Sequence, residues 1–322
     1  MSGQKTNLIE YNINQFIYRL IPLQNNNLLV VLKTQIKCLK APNYSLEDAL
    51  DISINNQEEI DAVCQWKNNT IIIKTKQKFY FIYINEGNYN FNIISEFDLL
   101  KDIMLKRQKM ISLNNKSKLL LNTIDKFLIL NEYQPNLLQI EKAIFGINAN
   151  SFIQIRENEI VCNSSEKNEV YFINLKKGNI ITKINNINIY TLDIDSFCLV
   201  NKNVLAMGGD LRDGLYFFDI NKRELIIHYK EDYRGYNSLL SLGNNKFLGE
   251  SYCGRCYGES DDEEEELYCT NFFEFNDKEN KIKIYKYSKD RIYDLKRSNF
   301  IKFNKANKIA YSSKHNLYIE NI

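Results

Sequence analysis

Asn201-Lys202-Asn203-Val204-Leu205-Ala206-Met207-Gly208-Gly209-Asp210, then Leu215-Tyr216-Phe217-Phe218-Asp219, then Glu224-Leu225-Ile226-Ile227-His228-Tyr229, reads as one polar turn and three strands. The stretch after Asn203 is a continuous apolar run. The second stretch is apolar on both faces, as in a strand held between neighbours rather than half exposed. The third is more polar, as an outer strand is. With only 3 Pro and 12 Gly in 322 residues, turns must lean on Asn and Asp, which tolerate φ > 0 and close Asx-turns.

The same unit recurs in both directions from this point. Its second strands begin at Leu28, Ile71, Leu119, Ile160, Val204, Phe247 and Ile309, each after a polar turn such as Asn25-Asn26-Asn27 or Glu157-Asn158-Glu159. The third strands read Gln35 to Leu39, Lys78 to Ile82, Lys126 to Leu130, Val170 to Ile173, Leu215 to Asp219, Asn271 to Phe275 and Asn316 to Ile319. Successive second strands start 43, 48, 41, 44, 43 and 62 residues apart, and the wrap across the two ends is 41. Units of about 40 to 45 residues with four strands each are the arithmetic of a β-propeller. The last unit stops after its third strand, and Asn7 to Ile13 has the length and alternation to supply the missing outer strand. Pairing both ends of the chain in one blade removes open edges. The expected fold is therefore all-β: one seven-bladed propeller spanning residues 1–322, with four-stranded antiparallel blades, closed by the N-terminal strand.

At this point the chain resembles the WD-repeat β-propeller family. The fifth unit carries the resemblance, through Leu205-Ala206-Met207-Gly208-Gly209-Asp210 and Tyr216-Phe217-Phe218-Asp219, where Phe218 stands in place of the family's Trp. No unit has Trp-Asp or Gly-His, and the only tryptophan, Trp66, sits at another strand position. The regular His-Asp network of the family is therefore not expected. The resemblance implies that loops joining second and third strands lie at one end of the propeller, and that the protein binds other proteins.

The sixth unit is expanded by roughly eighteen residues relative to its sisters. The extra length falls at about 250–270 and reads as an acidic, cysteine-containing loop. It holds Asp261, Asp262, Glu263, Glu264, Glu265 and Glu266, a run read either as a solvated loop or as a docking surface for a basic partner. Cys253-Gly254-Arg255-Cys256 offers two thiols, Cys269 a third, and His228 or His315 a distant fourth. Structural zinc wants four close ligands, so plain turn thiols are the preferred reading and no metal is expected. Residues Lys281 to Arg297 gather seven cations among tyrosines. Their alternation at Lys281-Ile282-Lys283-Ile284 reads as an outer strand with one solvated face, so a nucleic-acid partner is not expected. Ser45 to Leu50 is either one helical turn, from the Ser45/Asp48 spacing, or a surface loop.

Composition narrows the function classes. Lys+Arg 42 against Asp+Glu 40 leaves +2, too little for a global field that recruits nucleic acid or an anionic membrane. The start of the chain lacks the apolar core of a signal peptide, and no apolar run reaches bilayer-spanning length. The 7 Cys are odd in number and mostly scattered, as buried thiols are rather than a disulfide framework. A soluble cytoplasmic protein is the expectation. There is no nucleophile elbow, phosphate loop or His-Glu-x-x-His, and no cofactor is expected. The leading reading is a non-catalytic protein-interaction scaffold or a subunit of a larger complex. The alternatives are a hydrolase with Asp210, Asp213 and Asp232 at the channel mouth, and a metal-stabilised binding module.

Overall fold

The computed structural model describes residues 9–23, 25–53, 58–67, 70–75, 78–85, 88–96, 109–113, 118–123, 125–134, 137–149, 151–164, 167–187, 196–209, 213–230, 235–257, 264–286, 301–303, 308–313 and 316–321. Every regular element among them is a strand, and the strands form seven four-stranded sheets. The chain is a seven-bladed β-propeller of antiparallel blades. Blades are numbered here in chain order. Blade 1 is Arg19–Pro22, Leu28–Val31, Gln35–Leu39 and Leu50–Ser53, and blade 2 is Ile60–Lys67, Thr70–Thr75, Lys78–Asn85 and Asn88–Glu96. Blade 3 is Met110–Ser112, Lys118–Asn122, Lys126–Gln134 and Leu137–Phe145. Blade 4 is Ser151–Arg156, Glu159–Ser164, Glu169–Asn174 and Asn179–Asn185, and blade 5 is Phe197–Leu199, Val204–Gly208, Leu215–Asp219 and Glu224–Tyr229. Blade 6 is Gly235–Gly243, Lys246–Tyr257, Glu264–Asn276 and Lys281–Lys286. Blade 7 is Ile301–Lys302, Lys308–Ser313 and Asn316–Asn321, completed by Ile9–Asn12 from the start of the chain. In that closing strand Ile9 lies opposite Ile319 and Asn12 opposite Asn316.

The chain divides into two compact units. The first holds residues 1–148 and 299–322, the second residues 149–298. In the first unit, apolar side chains from facing blades interlock in pairs. Ile21, Leu29 and Ile36 meet Val63, Ile71 and Tyr80 between blades 1 and 2, and Leu20, Val30 and Tyr44 meet Phe303, Ala310 and Leu317 between blades 7 and 1. In the second unit Val161 and Phe172 pack on Leu205, Met207 and Phe218, and Phe217 packs on Phe247 and Phe275. The middle strands of blades 1, 2 and 5 are buried on both faces because a neighbouring blade of the same unit covers each.

A pair of polar or glycine residues follows the apolar stretch of the second strand in every blade but the first. After three mostly apolar residues come Lys74-Thr75, Asn122-Thr123, Asn163-Ser164, Gly208-Gly209, Glu250-Ser251 and Ser312-Ser313. The first member ties the strand to the start of strand one. Asn122 Oδ1 accepts from the Lys109 N–H at 2.6 Å, and Asn163 Oδ1 accepts from the Ser151 N–H at 2.8 Å. Lys74 Nζ donates to Asp61 at 2.9 Å in the same position. In blade 5, which has glycine there, the Gly208 backbone N–H donates to the Ser196 carbonyl at 2.8 Å. The second member closes the turn to strand three, where Thr75 Oγ1 accepts from the Lys78 N–H at 3.1 Å and Thr123 Oγ1 donates to the Lys126 carbonyl at 3.0 Å. Buried main-chain groups must find partners, and this pair supplies them where strand ladders end. Asn163→Ala leaves the Ser151 N–H buried without its acceptor. The expected loss is ~1–3 kcal/mol, read as a lower denaturant midpoint with an unchanged slope.

Outer edges are blunted in blade-specific ways. The fourth strands of blades 3, 4 and 5 carry a register break at equivalent points, beside Ile129/Leu130, Phe172/Ile173 and Phe217/Phe218. Bulges of this kind twist an edge away from pairing. Blade 6 has no such break in its fourth strand but sets Lys281 and Lys283 on the exposed face. In blade 1, Ser45 Oγ accepts from the Glu47 N–H at 3.2 Å and the turn is not continued, so Ser45 to Leu50 is a loop running into the fourth strand.

Candidate functional site

The features singled out in the fifth and sixth units come together in the second compact unit, where blades 5 and 6 meet. Gly208 lets the end of blade 5's second strand press against the backbone of blade 6. A Cβ on Gly208 would lie 1.8 Å from the Tyr236 carbonyl oxygen, so no other residue fits without displacing main chain. The Tyr236 N–H donates to the Gly209 carbonyl at 3.1 Å, the Gly209 N–H donates to the Gly214 carbonyl at 2.8 Å, and Gly214 bridges Gly235 in parallel. Tyr236 is buried, edge-on to Phe273 at 5.4 Å, and its hydroxyl accepts from Asn271 Nδ2 at 3.1 Å. The turn is thus stitched to the first strand of the expanded blade.

His228, on blade 5's fourth strand, covers the outer side of this turn. Its ring stacks on Tyr216 with centroids 4.2 Å apart, and Nε2 donates to the Asp213 carbonyl at 2.7 Å. A carbonyl only accepts, which fixes the proton on Nε2. The Asp213 carboxylate faces the same nitrogen at 4.0 Å. The arrangement joins His228, Tyr216 and Asp213 through a stacked ring pair and a hydrogen bond. Of the three carboxylates weighed for hydrolysis, Asp213 is described and is engaged in this way. Asp210 and Asp232 lie outside the described residues.

Beside this turn, the two middle strands of blade 6 are long. Its second and third strands have 12 and 13 residues, against four to nine in the other blades' counterparts. Among the described residues, the first strand follows the second as far as Gly235 opposite Tyr252, and the fourth joins the third from Asn271, opposite Lys286. Beyond those points, among the described residues, Arg255–Tyr257 and Glu264–Glu266 pair with each other alone. The stretch read as a loop at 250–270 is, over most of its described length, a two-stranded arm. Glu264, Glu265 and Glu266 begin its returning strand, opposite Tyr257, Cys256 and Arg255. Asp261, Asp262 and Glu263 lie outside the described residues.

The cysteines of this arm are spread along it. Cys253 falls in the register break between Tyr252 and Arg255, Cys256 lies opposite Glu265, and Cys269 lies opposite Ser251. The rung of Cys256 and that of Cys269 are four positions apart along the third strand. His315 lies outside the described residues, and His228 is committed to the Asp213 turn. Among the described residues no cluster of three or more His, Cys, Asp or Glu is arranged to hold a metal. The remaining described cysteines, Cys38, Cys64, Cys162 and Cys198, are buried free thiols. Burial pushes Cys38 up to about 11 and Cys64 up to about 12, and raises Cys162 and Cys198 further. They are packing residues rather than nucleophiles.

On the basic side, Lys283 lies over the Tyr285 ring at 4.9 Å and the Tyr285 hydroxyl donates to Glu274 at 3.2 Å. Lys281 to Tyr285 alternate between exposed and half-buried, as a solvated outer strand does. Lys289, Arg291, Lys296 and Arg297 lie outside the described residues. No helix among the described residues is long and apolar enough to cross a membrane.

Comparison with solved structures agrees with the architecture. A chain from a crystal structure of the mitotic checkpoint complex superposes with a TM-score of 0.71 at 10% identity, over 100% of this chain and 94% of that one. Selenomethionine-substituted virginiamycin B lyase from Staphylococcus aureus superposes with a TM-score of 0.68 at 9% identity, over 99% of this chain and 100% of that one. Neither a family model nor a curated protein matches the chain. At such identities the likeness shows the propeller fold alone. One neighbour belongs to an assembly and the other is a lyase, which illustrates that a propeller does not dictate its function.

The strand-end pairs and Tyr236 were not anticipated from sequence. Their signal was present all the same: each pair follows the apolar second strand at a fixed offset.

Proposed function

We propose that this propeller is a non-catalytic interaction scaffold, and that the arm of blade 6 is its docking element. The observation that carries the reading is the length of the paired strands Lys246–Tyr257 and Glu264–Asn276, which among the described residues run past the other two strands of their blade. A long two-stranded hairpin is an element that can be offered to another molecule. At its root, Gly208 packs on the Tyr236 main chain and His228 bonds to Asp213 in the adjoining blade. Binding elements carried on a stiff scaffold lose less entropy on association. The acidic composition of the tip supports a partner of opposite charge. The likeness to a chain of the mitotic checkpoint complex is compatible with a role in an assembly and is not evidence for a particular partner. Soluble placement in the cytoplasm belongs to the same reading.

Register sets the experiment. Tyr252 pairs with Tyr268, so replacing residues 253–267 with Asn-Gly, a preferred two-residue hairpin turn, removes the arm while keeping the blade. The shortened chain is expected to fold with an unchanged melting temperature and to lose its partner in affinity capture from the native cell. Retained capture overturns the docking role.

A further inference from the structure

In the second unit, the turns of blades 4 and 5 that join strands one to two and three to four share one end of their sheets. The arm of blade 6 joins strands two and three, so it belongs to the other end. At the turn end, the Leu175 N–H donates to the Asn158 carbonyl at 2.9 Å in blade 4, and the Ile220 N–H donates to the Asn203 carbonyl at 2.8 Å in blade 5. Glu159 ties the two blades together here. Its side chain is 8% exposed and accepts from Arg223 Nε at 2.8 Å and from Arg156 Nη1 at 3.1 Å. Arg156 Nη2 also donates to Asn221 Oδ1. Arg223 has φ 58 as the residue before the fourth strand, where blades 4 and 6 have Gly178 and Asn280. A side chain as large as arginine seldom takes that conformation, and here its guanidinium is aimed across the blade boundary. The result is two guanidiniums side by side over one carboxylate.

Two of the carboxylates at this end are engaged by the fold. Glu159 lies under the arginine pair, and Asp219 Oδ1 accepts from the Asn221 and Lys222 N–H groups at 2.7 and 2.8 Å. Lys176 and Lys177 in blade 4 and Lys202 and Lys222 in blade 5 are exposed, the last 3.4 Å from Glu224. Aliphatic side chains stand at the outer rim directly after the same turns: Ile180 is 41% exposed, and Ile181 and Leu225 are 37% exposed. In blade 3, Ile140 sits alike beside the register break but is half-buried and packs on the core. We propose that the turns of blades 4 and 5 bind an acidic, aliphatic segment of another protein. Its carboxylates lie against the arginine pair and the lysines, and its aliphatic side chains against the rim. Guanidiniums pair with carboxylates through a planar fork. A polyanion is the poorer match, because Glu157 and Glu224 stand exposed among the lysines. A phosphate backbone repels them, whereas a peptide can set an uncharged residue there. This surface does not depend on the docking role of the arm. With the acidic arm at one end and these turns at the other, the unit can hold a basic and an acidic partner at once.

The test uses the full chain and a fluorescent peptide, Asp-Glu-Leu-Asp-Glu-Ile-Asp-Glu-Leu, with Asn-Gln-Leu-Asn-Gln-Ile-Asn-Gln-Leu as its uncharged counterpart. The acidic peptide is expected to bind at low salt and the uncharged one to bind far more weakly. Lys176→Ser with Lys177→Ser, Lys202→Ser and Lys222→Ser is expected to weaken the acidic peptide about tenfold at an unchanged melting temperature. Arg223→Asn, which suits the left-handed turn position, is expected to weaken it several-fold as well. Absence of binding overturns the proposal, as does equal binding of the uncharged peptide or undiminished binding to the lysine variant. Single-stranded DNA or vesicles with anionic lipid that bind more tightly than the peptide, and are lost in the same variant, overturn it in favour of a polyanion surface. The chain lacking 253–267 is expected to keep the acidic peptide, and loss of the peptide there overturns the proposal. If that shortened chain loses its cellular partner while no acidic peptide binds the intact one, this surface fails and the docking role stands. Peptide binding lost only in the lysine and arginine variants, with capture unaffected by shortening, supports this surface and removes the docking role.

Discussion

Gly208→Ala is expected to destabilise the protein by at least ~4 kcal/mol, the range reached only by gross steric or buried-charge errors. The added methyl carbon would sit 1.8 Å from the Tyr236 carbonyl oxygen, and its nearest contacts are main chain and a Cβ rather than the free end of a side chain. Relief requires separating blade 5 from the first strand of blade 6. That movement breaks the bond from the Tyr236 N–H to Gly209 and opens the contact of Tyr236 with Phe273. Gly243→Ala is the matched control. It has φ +83 and nothing within 4 Å of the added carbon, so only the left-handed backbone penalty of ~1–2 kcal/mol applies. Thermal and denaturant melts of both variants check the prediction. Similar small losses in the two would show that blades 5 and 6 are less tightly joined than the contact implies.

Asp61→Asn is expected to cost ~3–5 kcal/mol at neutral pH, because it leaves a buried ammonium without its carboxylate. Lys74 is 1% exposed, and its Nζ donates to Asp61 at 2.9 Å and to the Thr75 carbonyl at 3.0 Å. Replacing both, as Lys74→Met with Asp61→Asn, should recover much of the loss, a coupling that a double-mutant cycle reads directly. The dependence on pH follows in sign. Burial holds Lys74 below its usual value of 10.5, while the Asp61 carboxylate pulls it back up. Between the lowered folded value and the ordinary one, the unfolded chain binds more protons, so stability rises with pH across that window. Without Asp61 the folded value falls further and the window widens downward. The deficit of Asp61→Asn should therefore shrink as pH rises. A deficit that stays flat with pH would mean that Lys74 is not charged in the folded protein.

Much of the fold could be read before any coordinate. Second strands expected at Leu28, Ile71, Leu119, Ile160, Val204, Phe247 and Ile309 begin within one residue of those positions, and the strand from the start of the chain does complete blade 7. A polar turn followed by residues apolar on both faces is a local signal, and packing between blades only reinforces it. The strand-end pairs were harder to see because Lys74, Asn122, Asn163, Gly208 and Glu250 share no side-chain class. They share a position. Where the contacts are described, each also ties the end of strand two to strand one or to the next blade. The segment at 250–270 read as a loop because it is the extra length of an expanded unit between two strands. Strand formation there follows from pairing across the hairpin rather than from the residues one by one. The fourth-strand bulges left no clear compositional trace, since the residues at the breaks are an acidic Glu141 in one blade and isoleucines, Ile181 and Ile226, in the other two.

The central claim is that the arm of blade 6 is where this propeller engages another protein. Its most direct test is the dissociation constant of the purified captured partner, measured by calorimetry against the intact chain and the chain lacking 253–267. The scaffold reading predicts at least a hundredfold weakening with the melting temperature unchanged. Equal affinity for the two chains would contradict it and place the binding surface elsewhere on the propeller.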